Sequence, residues 1–260
     1  MGSPNHRELG TVKRYGFLFL LLIASPLYAA GQFDSHTVFG PTPVMGFHFN
    51  ERTGTNLNSS IVDGGSGTLT NSVWVQGKFG PGIDFPAVTG AGVVVTPGAS
   101  VFPVGTESFS ASLWFKNTNT TQVSKPLIIF GNVAGTVAYF DLRIITGGRI
   151  RTSYSDTRRY LHDCCKVSTG AWNFIYVQEW PSPNIERVVV WDGKTVQRSS
   201  DVIHTGLNNT NTSAKYEIGG DPLGNPDDVC GCSLDDVQLW KGNDYGRVLR
   251  SFFNGIDAGH

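Results

Sequence analysis

The sequence predicts an all-β sandwich, and three observations carry that expectation. Its 260 residues include 32 Gly and 13 Pro, with 12% aromatic and only 16% charged side chains, a balance that supplies many turns and few solvated amphipathic helices. Short β-branched or aromatic segments recur at regular intervals between Met45 and Trp240, each bounded by Gly, Pro, Asn or Asp, as in sandwiches and barrels. Within them the apolar residues alternate with a period of two. Met45, Phe47 and Phe49 alternate with Gly46, His48 and Asn50, and Ala111, Leu113 and Phe115 share one face while Ser112, Trp114 and Lys116 share the other.

In the segment AWNFIYVQEW, Phe174, Tyr176 and Gln178 oppose Ile175, Val177 and Glu179. Both faces of that strand carry apolar bulk, which is the signature of a central strand covered on both sides. One short C-terminal helix is expected in DYGRVLRSFFNG, where Val248, Leu249, Phe252 and Phe253 fall on one side and Gly255 stops the turn.

The chain opens with a different pattern. Lys13 and Arg14 precede the apolar run YGFLFLLLIA, then Ser25-Pro26 and the small pair Ala29-Ala30, the order of a cleavable secretory signal over residues 1–30. The apolar core is shorter than the roughly 20 residues a membrane span needs. Residues 31–44 are a polar arm or first edge strand, and residues 45–260 form one domain, since sandwiches run to roughly 200–250 residues as single domains. Removing residues 1–30 removes Arg7, Lys13, Arg14 and Glu8 and leaves 17 basic against 20 acidic side chains. No basic footprint for nucleic acid remains. Export, to the outside, the cell surface or a periplasm, permits disulfides.

Four cysteines occur as the neighbours Cys164-Cys165 and the pair Cys230-Gly231-Cys232. The expected pairing joins each member of the first pair to one of the second, stapling a mid-chain loop to the C-terminal strand. The competing soft-metal reading lacks Cys-x2-Cys spacing and has only His162 nearby.

Read in order, the segments resemble the LamG-like jelly-roll domains of the concanavalin A-like superfamily. The opening GFHFNERTGTNLNSSIVDGGSGTLTNSVWVQGKFGPGIDFPA resembles that family's first strand, GT turn, GTL strand and GKFG-x-x-x-x-F element. SFSASLWFK, AWNFIYV, VVVWDGKTV, YEIGGDP and SLDDVQLWKG resemble its later strands in sequence. The resemblance spans about residues 45–255 and departs most over 117–168. It implies a two-sheet antiparallel jelly-roll sandwich that recognises extracellular carbohydrate or protein through loops at one rim, often with calcium.

In SLDDVQLW, strict alternation puts Ser233, Asp235, Val237 and Leu239 on one face and Leu234, Asp236, Gln238 and Trp240 on the other. Either face carries a carboxylate inward, and a buried Asp needs a metal, a cation or several backbone N–H groups. The resemblance implies calcium, held by Asp235 or Asp236 with oxygens near Asn50, Glu51 and Asp63; the alternative is an Asp receiving loop hydrogen bonds without metal.

The stretch RIRTSYSDTRRYLHDCC gathers Arg149, Arg151, Tyr154, Arg158, Arg159, Tyr160 and His162 in or beside one long loop. Aromatic faces and guanidinium forks suit a sugar or an acidic ligand; a solvated, disulfide-tethered loop is the alternative. Tyr154, Arg158, Arg159, Tyr160 and Trp180, the last as a stacking platform, are the candidate ligand residues. No paired carboxylates, nucleophile elbow or phosphate-cradling loop is found. The expected function is therefore a non-catalytic binding module for a glycan or protein, with a self-associating surface subunit and a glycan hydrolase or lyase as alternatives.

Overall fold

The computed structural model describes residues 43–98, 107–118, 124–132, 140–154, 160–180, 185–199, 202–203 and 215–242. The expected signal segment, the expected polar arm up to residue 42 and the expected C-terminal helix lie outside the described residues. Within them the chain is all-β. In order, the strands are β1 (Met45–Phe47), β2 (Asn56–Asn58), β3 (Ser66–Thr70), β4 (Val73–Gln76), β5 (Pro81–Phe85), β6 (Gly92–Thr96), β7 (Phe109–Asn117), β8 (Ser124–Asn132) and β9 (Phe140–Ile145). They continue as β10 (Arg149–Tyr154), β11 (Tyr160–Lys166), β12 (Trp172–Trp180), β13 (Ile185–Trp191), β14 (Val196–Arg198), β15 (Val202–Ile203), β16 (Lys215–Ile218) and β17 (Cys232–Lys241).

Two antiparallel sheets form a sandwich. The nine-stranded sheet runs β14-β13-β12-β7-β17-β5-β4, with β1 on β17 and β15 on β13; the eight-stranded sheet runs β11-β10-β9-β8-β16-β6-β3-β2. The main core lies between them. Leu113, Phe115, Ile175, Val177, Val188 and Leu234 meet Val93, Phe130, Leu142, Ile144, Ile150 and Tyr216 there, all essentially without exposure. Phe109 of β7 packs edge-on against Phe130 of β8 and Phe140 of β9, with ring centroids 4.8 and 5.2 Å away, and so ties one sheet to the other.

The expected alternation in β7 and β12 is present. Ala111, Leu113 and Phe115 enter the core between the sheets, as do Ile175 and Val177. Trp114, Phe174 and Tyr176 form a separate apolar cluster on the outer side, with Val189 and Trp240.

In β17 the strict alternation fails at one residue. Its register with β7 shifts between Asp235 and Gln238, and Asp236 takes φ +49°, so one extra residue is inserted as a β-bulge. Leu234 and Val237 therefore both reach the core, although two-residue alternation puts them on opposite faces. Gln238 and Trp240 return to the outer side, where Trp240 joins the second cluster. The bulge also sits where the strand changes neighbour. Residues Cys232 to Leu234 pair with β5, and Val237 to Leu239 pair with β1.

The cysteine pairing differs from expectation. Cys230 and Cys232 are bonded to each other across a Cα–Cα distance of 5.1 Å, within the usual disulfide span. Gly231, at φ +56°, supplies the left-handed bend that brings the two back together. Cys164 and Cys165 remain thiols on β11, at the edge of the other sheet. The staple is local, because the two pairs belong to different sheets.

The region around Arg149 to Cys165 is likewise a pair of strands more than a long loop. β10 and β11 pair from Arg149↔Lys166 to Tyr154↔Tyr160, and Arg151 forks onto Asp163 with Nε–Oδ1 2.5 Å and a second bond of 2.8 Å.

Burial of this kind sets a first expectation. Leu113→Ala or Phe115→Ala lowers unfolding free energy by about 2–5 kcal/mol, whereas Val196→Ala, on a half-exposed edge strand (50% exposed), changes it by less than about 0.5 kcal/mol. Urea unfolding of the three variants measures both.

Candidate functional site

Among the described residues, the outer face of the nine-stranded sheet brings together aromatic and charged side chains that are partly accessible. Its foundation is Asp235. That residue pairs in register with Trp114 of β7, so its carboxylate rises on the outer side beside the indole. Only 2% of it is exposed. A carboxylate so far out of water needs donors, and the β4–β5 hairpin provides them. Oδ2 accepts the backbone N–H of Lys78 at 2.7 Å and of Phe79 at 2.9 Å.

The GKFG element follows from this contact. A Cβ on Gly77 would lie 2.6 Å from Oδ2 of Asp235 and 3.0 Å from the Pro81 carbonyl, so only glycine lets the turn close over the carboxylate. Closure places the next two side chains on the sheet. The Phe79 ring meets Trp114 edge-on at 5.2 Å, and Lys78 Nζ lies 5.0 Å from the Trp114 ring and 6.0 Å from that of Trp191. A cation over aromatic faces at this range is attracted by the ring quadrupole. Trp191 and Phe174 complete the cluster, each 5.4 Å from Trp114. Trp114 and Phe174 are buried, while Lys78, Phe79, Trp172 and Trp191 are half-buried and form the accessible part of the face.

Burial pushes the Asp235 carboxyl up to about 7; the Phe79 and Lys78 amides oppose that rise and the neighbouring Asp236 adds to it. Asp236 serves a different purpose. Its Oδ1 contacts His48 Nδ1 at 2.6 Å and accepts the Gln238 side-chain amide at 2.7 Å, joining the segment after β1 to the bulge.

The five residues expected to hold calcium do not form one set. Asp235 is occupied by loop N–H groups and Asp236 by His48 and Gln238, while Glu51 Oε1 accepts the Asn58 N–H at 2.8 Å. Asn50 and Asp63 are exposed. Among the described residues, no three His, Cys, Asp or Glu side chains come together so as to hold a metal ion. Asp235, Asp236 and Glu51 are each drawn to a different neighbour, so the five residues do not converge on one site. The hydrogen bonds that Asp235 needs as a buried carboxylate come from backbone N–H groups of the hairpin loop.

Of the expected ligand residues, Arg158 and Arg159 lie outside the described residues, as do the side chains of Tyr154, Tyr160 and Trp180. Tyr154 and Tyr160 pair across β10 and β11, and Trp180 ends β12.

Two polar clusters were not visible in the sequence. Between the sheets, Glu179 of β12 stands opposite Glu186 of β13, and both are buried. Glu186 accepts from the Thr152 hydroxyl and contacts His162 Nδ1 at 2.9 Å. Burial and the facing Glu186 push Glu179 well above the usual carboxylate range. The pair lies closed off from solvent. On the outside of the eight-stranded sheet, Arg143 bonds Asp141 and Asp228 (Nη1–Oδ2 2.8 Å), so Asp228 ties the segment before β17 to β9. Both clusters are cross-strand and long-range, and only the period-two placement of Glu179 beside Val177 hinted at either.

The Asp235 contact yields two linked expectations. Asp235→Ala leaves two buried N–H groups without an acceptor and costs on the order of 2–4 kcal/mol; Asp235→Asn keeps an oxygen acceptor there and costs less. A carboxyl raised in the folded state stabilises most in acid, and this contribution is lost as pH rises from the unfolded value of 3.8 to about 7. Across that window, wild-type stability relative to Asp235→Asn falls by at most roughly 4 kcal/mol. Thermal unfolding of the two proteins from pH 4 to pH 8 checks the slope.

No protein-family model matches the sequence, and no curated protein is significantly similar to it. Solved structures share its fold. The binding domain of botulinum neurotoxin serotype G is similar at TM-score 0.60 and 9% identity, over 82% of this chain and 51% of that one. The binding domain of Paraclostridial Mosquitocidal Protein 1 is similar at TM-score 0.55 and 10% identity, over 80% and 51%. Trypanosoma rangeli sialidase in complex with sialic acid is similar at TM-score 0.52 and 14% identity, over 75% and 30%. This chain thus spans about half the length of the toxin domains, and at these identities what it shares with all three is the two-sheet antiparallel β-sandwich.

Proposed function

We propose that this chain is an exported, non-catalytic binding module that recognises extracellular carbohydrate on the outer face around Lys78, Phe79, Trp172 and Trp191. The observation that carries the reading is the half-buried aromatic group with an ammonium set over its rings. Sugar rings present C–H faces that stack on indoles, and their hydroxyl or carboxylate oxygens accept from an ammonium. The platform is rigid, because Asp235 fixes the hairpin that bears Lys78 and Phe79. Preorganisation of this kind reduces the ordering cost of binding. The toxin binding domains of similar fold are consistent with a recognition role, and the LamG-like resemblance supports the same reading.

A glycan array probed with the exported chain, with and without calcium, tests the proposal. Binding is expected, and Trp191→Ala and Lys78→Ala each weaken it at least tenfold while Arg158→Ala/Arg159→Ala/Tyr160→Ala leaves it intact. Loss only in the triple variant moves the site to the β10–β11 tip. Turnover of a polysaccharide panel that is abolished by Glu179→Gln or Glu186→Gln replaces binding with hydrolysis. An array without hits refutes the carbohydrate reading.

A further inference from the structure

We infer that Cys164 and Cys165 form a reversible vicinal disulfide, a thiol couple that exchanges with the disulfide of a small thiol. In a regular strand, adjacent side chains point to opposite faces. Here the β10–β11 register shifts between Arg149 and Ile150, so that Ile150 faces Cys164 and Arg149 faces Lys166. Cys165 is the inserted residue of a bulge, at φ +45°. Both cysteine side chains consequently pack against the main core, on one side of the strand. Left-handed backbone at a residue other than glycine is uncommon and costs energy, and here it is spent on bringing two thiols to one side of one strand. Both are half-buried and free, whereas the other two cysteines are already bonded to each other.

Exchange runs in two steps. One cysteine, as its thiolate, attacks one sulfur of RSSR, forming a protein–S–S–R bond and expelling RS⁻. The neighbouring cysteine loses its proton and attacks the protein sulfur of that bond, forming the Cys164–Cys165 bond and expelling the second RS⁻. The two protein protons end on two RSH molecules; the protein gives up two electrons and the small disulfide takes them.

Adjacent Cα atoms lie about 3.8 Å apart, below the usual disulfide range of about 4.4–6.8 Å. A ring closed over one peptide is strained, and strained disulfides are the readily reduced ones. The couple is accordingly a switch and not a staple, and it sits beside the buried Glu186 and His162 at the edge of the eight-stranded sheet.

The test incubates the folded full chain with oxidised glutathione and follows free thiols after denaturation, intact mass and a peptide map. The expected result is loss of both free thiols, a mass decrease of two hydrogens, a Cys164–Cys165 bond within one peptide, and reversal by reduced glutathione. Cys164→Ser and Cys165→Ser should each hold a stable glutathione adduct on the remaining cysteine, with no second step to release it. Persistence of both thiols at equilibrium overturns the inference. So does a map that joins Cys164 or Cys165 to Cys230 or Cys232, or a wild-type protein that accumulates only mixed glutathione disulfides.

Discussion

The outer side of the nine-stranded sheet is organised by a carboxylate taken out of water. Asp235 sits in a central strand beside an indole, and its Oδ2 accepts from the backbone of a hairpin far away in sequence, at Lys78 and Phe79. Satisfying the carboxylate thereby fixes the hairpin on the sheet. Gly77 is required because any Cβ would meet the same oxygen. Phe79 and Lys78 follow onto Trp114, and the accessible aromatic face exists as a rigid object because of that chain of contacts. The bulge at Asp236 completes the arrangement by letting one strand pair with β5 and then with β1 while keeping its apolar residues in the core.

A sheet apolar on both faces has one surface to bury against its partner sheet and one left for other work. The inner surface holds the sandwich together through the aromatic contacts of Phe109, Phe130 and Phe140. The outer surface grades from the buried Trp114 and Phe174 to the half-buried Trp172 and Trp191. That gradient suits recognition, since a stacked ligand gains most from rings already held in place. The paired carboxylates, by contrast, sit between the sheets, where Glu179 and Glu186 are buried and engage Thr152 and His162. A fold of this class hosts both binding and hydrolysis, and in this chain the carboxylates and the accessible aromatics are on opposite sides of the same sheet.

Period-two alternation made the sandwich legible, and it placed Leu113, Phe115, Ile175 and Val177 correctly because strands with a buried face enforce register. It failed in β17, where a bulge changes the parity after Asp235. Two adjacent aspartates carry no local sign of a left-handed residue. The cysteine pairing was misread for a related reason: Gly231 closes Cys230 on Cys232, an outcome that spacing alone leaves as one of three. GKFG was noticed as a family-like element, but its role depends on a carboxylate more than 150 residues away. The family resemblance implies one calcium set from Asn50, Glu51, Asp63, Asp235 and Asp236, whereas the fold sends Glu51, Asp235 and Asp236 to separate neighbours.

The most direct test of this account is a pH titration followed by carboxyl and amide NMR. The Asp235 carboxyl is expected to titrate near 7, with the Lys78 and Phe79 amides and the Trp114 and Trp191 indole signals moving on the same midpoint. A carboxyl that titrates near 4, with hairpin amides and indoles unmoved between pH 5 and pH 8, would show that Asp235 neither lies beneath the hairpin nor holds the aromatic face in place.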